Sequence, residues 1–235
     1  MQTDGNRLCR LLAHTLLTAL LVATSMLSHA QQTPDDYYRA EFVILERIID
    51  PDAVNERMIN RKVKPPVETD KTLYRVAQGG SVSSSLELVN RNQLHLGNAA
   101  NRLESSGKYR VLMSAGWYEA FPPDYKGEPL RIEIGDWLEQ ADQREIEGNI
   151  TIDRQRYLHV AVHLNHWQEG KVAAAAAAPT TLPTTGAELN LQPEIPLELL
   201  TWIRETRRMR SEEIHFLDSP TLGVLVFFKK VEAEQ

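Results

Sequence analysis

Cysteine is almost absent from this chain, since Cys9 is the single one among 235 residues. It precedes the apolar stretch of an N-terminal segment that has the pattern of an export signal. It is therefore not placed for lipid attachment, and we expect it to be removed with that signal. A mature chain without cysteine excludes a disulfide scaffold, a thiol enzyme and a zinc–thiolate module.

An excess of positive charge is also lacking. The chain has 26 Lys and Arg against 32 Asp and Glu, a formal net charge of −6 at pH 7. Without the first thirty residues the balance is 24 basic to 31 acidic residues, a net charge of −7. This balance argues against nucleic acid or an anionic membrane surface as a partner, although it leaves room for local basic patches.

The first thirty residues predict a cleaved export signal. Arg7 and Arg10 form a short basic head, residues 11–27 are largely apolar, and small residues precede a cleavage site near Ala30. The remaining residues 31–235 suffice for one hydrophobic core. We therefore expect an exported protein with a single domain and no stable membrane anchor.

Strand patterns dominate the rest of the chain. Alternating or β-branched apolar residues predict strands at 37–49, 109–117, 130–134, 148–166, 201–209, 214–217 and 223–228. The segment 148–166 fits one long strand with a polar middle, or a hairpin that turns near residues 153–155. The hairpin is favoured, because two apolar runs separated by polar residues pair readily.

One helix and two long loops complete the prediction. Ser84 and Glu87 form a capping-box pattern, apolar residues then recur every three or four positions, and Gly107 ends the helix. Residues 51–83 predict a surface excursion, and the Ala/Pro/Thr-rich segment at about 168–196 predicts a flexible loop. The predicted fold is α+β, a mostly antiparallel β-sheet with one main helix packed across a face and long flexible loops.

Two short polar segments with strand patterns contain the candidate ligand-binding residues. These residues are Arg154, Arg156, Tyr157, His159, Arg207, Arg208, Arg210 and His215. Arginines beside a tyrosine can hold a carboxylate-bearing ligand through forked hydrogen bonds. The alternative is a charged hairpin end and a charged sheet edge, whose arginines pair with nearby carboxylates.

The alternation of side chains along a strand predicts which face of the sheet each arginine occupies. It places Arg154 with Arg156 on one face and Arg208 with Arg210 on one face, while Arg207 points the other way. We expect Arg156 and Arg208 to share one basic patch, with Tyr157 or Trp202 nearby to stack on a ligand.

The sequence indicates neither a metal-binding site nor a catalytic site. On a strand, His159 and His163 share a face whereas His166 falls on the other, and no acidic residue on that face has suitable spacing. No nucleophile elbow surrounds Ser211, and no glycine-rich phosphate loop is present. The prediction is a non-enzymatic protein without metal or cofactor.

Four segments carry a resemblance to a known family. They are 38–45, 105–117, 148–159 and, most specifically, 207–226, which begins Arg-Arg-Met-Arg-Ser. The family that they resemble is CsiV, the peptidoglycan-binding periplasmic proteins of Gram-negative bacteria. Glu212, Phe216 and Ser219 depart from the glycine, tyrosine and histidine common there.

The resemblance implies a function as well as a fold. It implies a non-enzymatic accessory protein that binds peptidoglycan and helps activate cell-wall synthesis. The implied partners are an outer-membrane lipoprotein, LpoA, and a bifunctional penicillin-binding synthase. The alternative is a protein–protein adaptor of the cell envelope that does not bind glycan.

Overall fold

Ten strands and one α-helix form the part of the chain that the computed structural model describes, residues 36–54, 62–170 and 197–232. The strands are β1 (Tyr37–Arg47), β2 (Thr72–Val76), β3 (Val82–Ser83), β4 (Tyr109–Ala120), β5 (Leu130–Leu138), β6 (Gln143–Arg154), β7 (Leu158–Glu169), β8 (Leu197–Arg208), β9 (His215–Asp218) and β10 (Leu222–Lys230). The helix α1 (Gly97–Ser105) lies between β3 and β4. The α+β prediction is confirmed.

The strands form two sheets rather than one. Sheet A has the order β4-β1-β10-β9 and is antiparallel throughout. Sheet B has the order β3-β2-β5-β6-β7-β8 and is antiparallel except for the parallel pair of β2 and β5. Two sheets form because each has an apolar face to bury, and Phe42 and Ile44 of sheet A share one core with Ile150 and Val162 of sheet B.

The helix covers the other face of sheet A. Val43 and Phe227 on that face pack in a second cluster with Leu96 and Ala100. The carboxylate of Glu41, which is fully buried, accepts hydrogen bonds from the backbone N–H groups of His95 (3.1 Å) and Leu96 (2.9 Å). A strand residue therefore satisfies the free amides where the helix begins.

The predicted start of the helix is wrong. The Ser84 hydroxyl accepts from the Leu86 backbone N–H (3.0 Å) in a local turn, Leu88 bridges to Trp117, and the α-helix begins only at Gly97. A competing side-chain turn and this bridge to β4 use the backbone groups that a helix would need. Its end is as predicted, since Gly107 follows it with a φ of 69°.

Other predictions have mixed outcomes. The hairpin is confirmed, since Arg154 of β6 pairs with Leu158 of β7 across a turn at residues 155–157. The surface excursion at 51–83 is wrong in part, because β2 and β3 lie within it and extend sheet B. In the predicted loop, residues 168–169 belong to β7 and 171–196 lie outside the described residues, as does the predicted export signal at 1–30. Within the described ranges, we find no helix with the length and apolar character to cross a bilayer.

Candidate functional site

The turn between β6 and β7 meets the end of β8 at one corner of sheet B. His159 of β7 lies opposite Arg208 of β8, which brings Arg208 beside the turn. The guanidinium carbon of Arg208 lies 4.7 Å from the centroid of the Tyr157 ring, and that of Arg156 lies 5.5 Å from it. We call Arg156, Tyr157 and Arg208 the basic patch.

The patch has cations without local counter-ions. Within the described ranges, neither Arg156 nor Arg208 has a carboxylate oxygen within ion-pair distance, and both side chains are exposed. Tyr157 is 39% exposed, and its backbone carbonyl lies 2.9 Å from His159 Nδ1. The corner therefore presents two guanidinium groups with free donors and an aromatic ring, a combination that can hold a carboxylate and stack on a flat or apolar group.

Arg154 lies apart from the patch and is held within the fold. Its side chain is 16% exposed, forms an ion pair with Asp36 at 3.0 Å and lies over the Tyr38 ring at 5.7 Å. The hydrogen bond from Arg154 holds the pKa of the Asp36 carboxyl below its ordinary value. The prediction that Arg154 and Arg156 share one face is therefore wrong, because β6 ends at Arg154 and Arg156 lies in the turn, where the alternation of a strand no longer applies.

Arg207, Arg210 and His215 also have partners elsewhere. Arg207 forms an ion pair with Glu205 at 2.7 Å and donates to the backbone carbonyl of Phe216, on the face opposite to Arg208 as predicted. Arg210 follows the end of β8, where its backbone N–H donates to His215 Nε2 at 3.0 Å and its side chain approaches Glu213 at 3.4 Å. The structure thus brings together Arg156, Tyr157, His159 and Arg208 and places the other four candidates outside this group.

Trp202 lies on the same face of β8 as Arg208 but not in the patch. Six residues along a strand correspond to about 20 Å. The guanidinium carbon of Arg204 lies 3.7 Å from the Trp202 ring centroid, and Arg204 also donates to the carbonyl of Lys64 at 3.3 Å. Trp202 is therefore an additional aromatic surface beyond the patch.

A cleft that the sequence did not predict lies at the other end of β7. It has a volume of about 440 Å³, and its lining residues include one arginine, four glutamates, two tryptophans and one buried histidine, namely Arg47, Glu46, Glu139, Glu145, Glu169, Trp137, Trp167 and His166. We call it the acidic cleft. Its residues come from distant strands, so no spacing in the sequence indicates it.

Beside this cleft, one arginine donates hydrogen bonds to three carboxylates. Arg110 donates to Glu46 at 2.7 Å, to Asp136 at 2.9 Å and to Glu145 at 2.8 Å. Burial raises the pKa of Glu145 to about 7 and lowers the pKa of His166 to about 4. Near neutral pH, His166 is therefore uncharged and Glu145 holds its proton more tightly than an exposed glutamate.

The fold and the basic patch are those of a two-sheet protein with an exposed basic surface at one corner of sheet B. The chain belongs to the CsiV family, described as a peptidoglycan-binding protein, whose pattern matches residues 12–231. The resemblance seen in the sequence is thereby confirmed over nearly the whole chain. No curated protein and no solved structure matches the chain.

Proposed function

We propose that this protein binds peptidoglycan through the basic patch and that it does so as a non-enzymatic accessory protein of the periplasm. The observation that carries the proposal is the pair of exposed arginines on the ring of Tyr157, neither of which has a counter-ion among the residues that the structure describes. Family membership supports the ligand class. The signal pattern ending near Ala30 supports the location.

The chemistry of the ligand matches that of the patch. Peptide stems of the cell wall carry free carboxylates, and a guanidinium binds a carboxylate through two parallel hydrogen bonds. The Tyr157 ring can pack against the apolar face of a sugar or against a stem side chain. The patch is thus suited to the junction where a short acidic peptide leaves a glycan strand.

Each contact is weak because the patch is exposed. An exposed charge pair contributes about 1 kcal/mol or less, and salt screens it. Binding should accordingly be modest for one site, additive over several contacts and weaker at high ionic strength. Repeated ligand units along a sacculus increase the overall avidity.

In the same proposal, the protein helps activate cell-wall synthesis through an LpoA-type outer-membrane lipoprotein and its penicillin-binding synthase. The resemblance to the CsiV family supports this role. The alternative function is an envelope adaptor that contacts the lipoprotein and does not bind glycan. The two differ in one observable, the recovery of the purified protein with insoluble sacculi.

The test is a sacculus pull-down with the double variant Arg156→Glu and Arg208→Glu. A matched control reverses the same number of charges at two other exposed arginines, Arg91→Glu and Arg102→Glu. We expect wild type and control to sediment with sacculi at moderate salt and the patch variant to stay in the supernatant, with unchanged circular dichroism. Equal sedimentation of patch variant and control would refute the patch as the binding site.

The adaptor function predicts a different result in the pull-down. If wild type stays in the supernatant while it still co-purifies with the lipoprotein, glycan binding is refuted and the adaptor function holds. Release of soluble wall fragments on incubation would instead indicate an enzyme.

A further inference from the structure

Three side chains on different strands converge at the inner end of the acidic cleft. Glu46 of β1, Glu145 of β6 and His166 of β7 each place a potential ligand atom within 4.8 Å of the others. His166 is 4% exposed and Glu145 is 8% exposed. The Glu46 side chain is 20% exposed, so the cluster has two buried members and one that reaches the open part of the cleft.

A hydrogen bond to Thr221 orients His166 and uses only one of its two ring nitrogens. Its Nδ1 lies 2.8 Å from the Thr221 hydroxyl, which in turn contacts the Thr201 hydroxyl. Its Nε2 faces Glu46 Oε1 at 4.0 Å, which is too long for a hydrogen bond. Within the described ranges no closer partner of this nitrogen is found, so the Nε2 atom of a side chain that is 5% exposed faces the cluster and is available to a ligand.

The backbone makes room for the carboxylate of Glu145. Gly135 has a φ of 85°, and a Cβ atom at this position would lie 2.3 Å from Glu145 Oε1. A larger residue at 135 would displace the carboxylate. The register shift between Ile134 and Trp137 brings this glycine opposite Glu145 at the β5–β6 end of the cleft.

Charge in the cluster is unbalanced. Arg110 uses Glu46 Oε2 and Glu145 Oε1 and also pairs with Asp136, so three carboxylates share one guanidinium. Glu46 Oε1 is left facing His166. The neighbouring Glu139 and Glu169 add further negative charge around the cleft, whereas Arg47, which also lines it, is paired with Asp218 at 2.7 Å. A cation of charge +2 would balance the formal deficit.

We propose that Glu46, Glu145 and His166 bind a divalent transition-metal ion, for which Zn²⁺ is the best match. One imidazole nitrogen and two carboxylate oxygens are a donor set that Zn²⁺ accepts, whereas Mg²⁺ and Ca²⁺ prefer oxygen donors alone. Thr221 holds the other nitrogen of His166, as outer-shell groups do for metal-binding histidines. The open cleft supplies an entry path and room for a further ligand on the ion. This site goes beyond the proposed function, because it lies at the opposite end of β7 from the basic patch.

Titration calorimetry of the metal-stripped protein with Zn²⁺ tests the site, together with melting curves. We expect one bound ion per chain and a rise in Tm of about 5–10 °C at a Zn²⁺ concentration about 100 times Kd. His166→Gln and Glu145→Gln should abolish this binding, and Thr221→Val should weaken it about tenfold. Glu139→Gln, which removes one charge from the same cleft outside the cluster, should bind as wild type does.

A second measurement does not depend on whether the variants fold. In the wild type, imidazole nitrogen NMR should show Zn²⁺ shifting His166 Nε2 while Nδ1 keeps its hydrogen bond. No stoichiometric binding, or binding that shifts only the half-buried histidines His159 and His215, would refute the proposal. So would equal affinity in a folded His166→Gln protein.

Discussion

The basic patch and the acidic cleft lie at opposite ends of β7 and are built in opposite ways. The patch needs one turn and one neighbouring strand, and its side chains are exposed. The cleft needs β1, β4, β5, β6 and β7, and its central side chains are buried. His159 and His166 mark the two ends, seven residues or about 23 Å apart along the strand.

The difference is one between solvated charges at the surface and charges that are held within the fold. Charges on the patch remain solvated, so their loss should affect ligand binding and leave the fold intact. Charges at the cleft have lost most of their solvent, so their loss should affect the fold itself. Three experiments test this contrast, in order of expected effect.

The largest effect should follow the removal of the shared cation at the cleft. Arg110→Met leaves Glu46 and Glu145 without their partner, and we expect it to lower the free energy of unfolding by about 2–3 kcal/mol. The matched change Arg208→Met should lower it by less than about 0.5 kcal/mol. Urea unfolding followed by tryptophan fluorescence measures both, and equal losses would contradict the contrast.

The pH dependence of stability should arise at the cleft and not at the basic patch. The pKa of Glu145 is raised from 4.5 to about 7, chiefly by burial and also by the charges of Glu46 and Asp136, while a hydrogen bond from the Asp136 backbone and the charge of Arg110 oppose the rise. A raised carboxyl pKa means that the folded state holds a proton that the unfolded state releases at lower pH. Stability from this group is therefore present below pH 4.5 and is lost as pH rises through about 7.

The measurement compares wild type with Glu145→Gln in the presence of a chelator. Glutamine resembles the protonated acid and does not titrate, so the stability of wild type relative to the variant should fall between pH 4.5 and about 7. The patch variant Arg156→Gln serves as the control, and its difference from wild type should stay flat across this range. A flat difference for Glu145→Gln as well would show that the carboxyl ionises normally.

The smallest effect should come from the aromatic ring of the patch. Tyr157→Ala removes the ring on which both guanidinium groups rest, and a loss of about 1 kcal/mol would weaken sacculus binding about fivefold. Tyr157→Phe keeps the ring and should bind almost as wild type does. If the phenylalanine variant binds as poorly as the alanine variant, the hydroxyl and not the ring face makes the contact.

The sequence allows the patch to be predicted because its geometry is local. Residues 153–159 contain a polar turn between two apolar runs, and the alternation along β8 separates Arg207 from Arg208. What parity could not show is that Arg154 turns inward to Asp36, a residue more than a hundred positions earlier. Ion pairs of this kind depend on which strands become neighbours.

The cleft could not be predicted for the same reason. Glu46, Glu145 and His166 are far apart in sequence, and each follows an ordinary strand pattern. Their convergence depends on strand order and on the register shifts in β5 and β7. The late start of the helix is similar, since Glu41 binds the amides of His95 and Leu96 just before the helix, which no capping pattern near residue 84 could reveal.

The central position of β1 and β10 in sheet A constrains when the protein can fold. These two strands pair along most of their length, from Tyr38 with Lys230 to Glu46 with Leu222, although they come from opposite ends of the described chain. Contacts between residues so distant in sequence form slowly, because the intervening chain must first lose its freedom. A chain that emerges from its amino end must keep the apolar β1 unpaired on one side until β10 arrives. Folding of sheet A is therefore completed late, and β1 is the segment that needs protection from aggregation in the meantime.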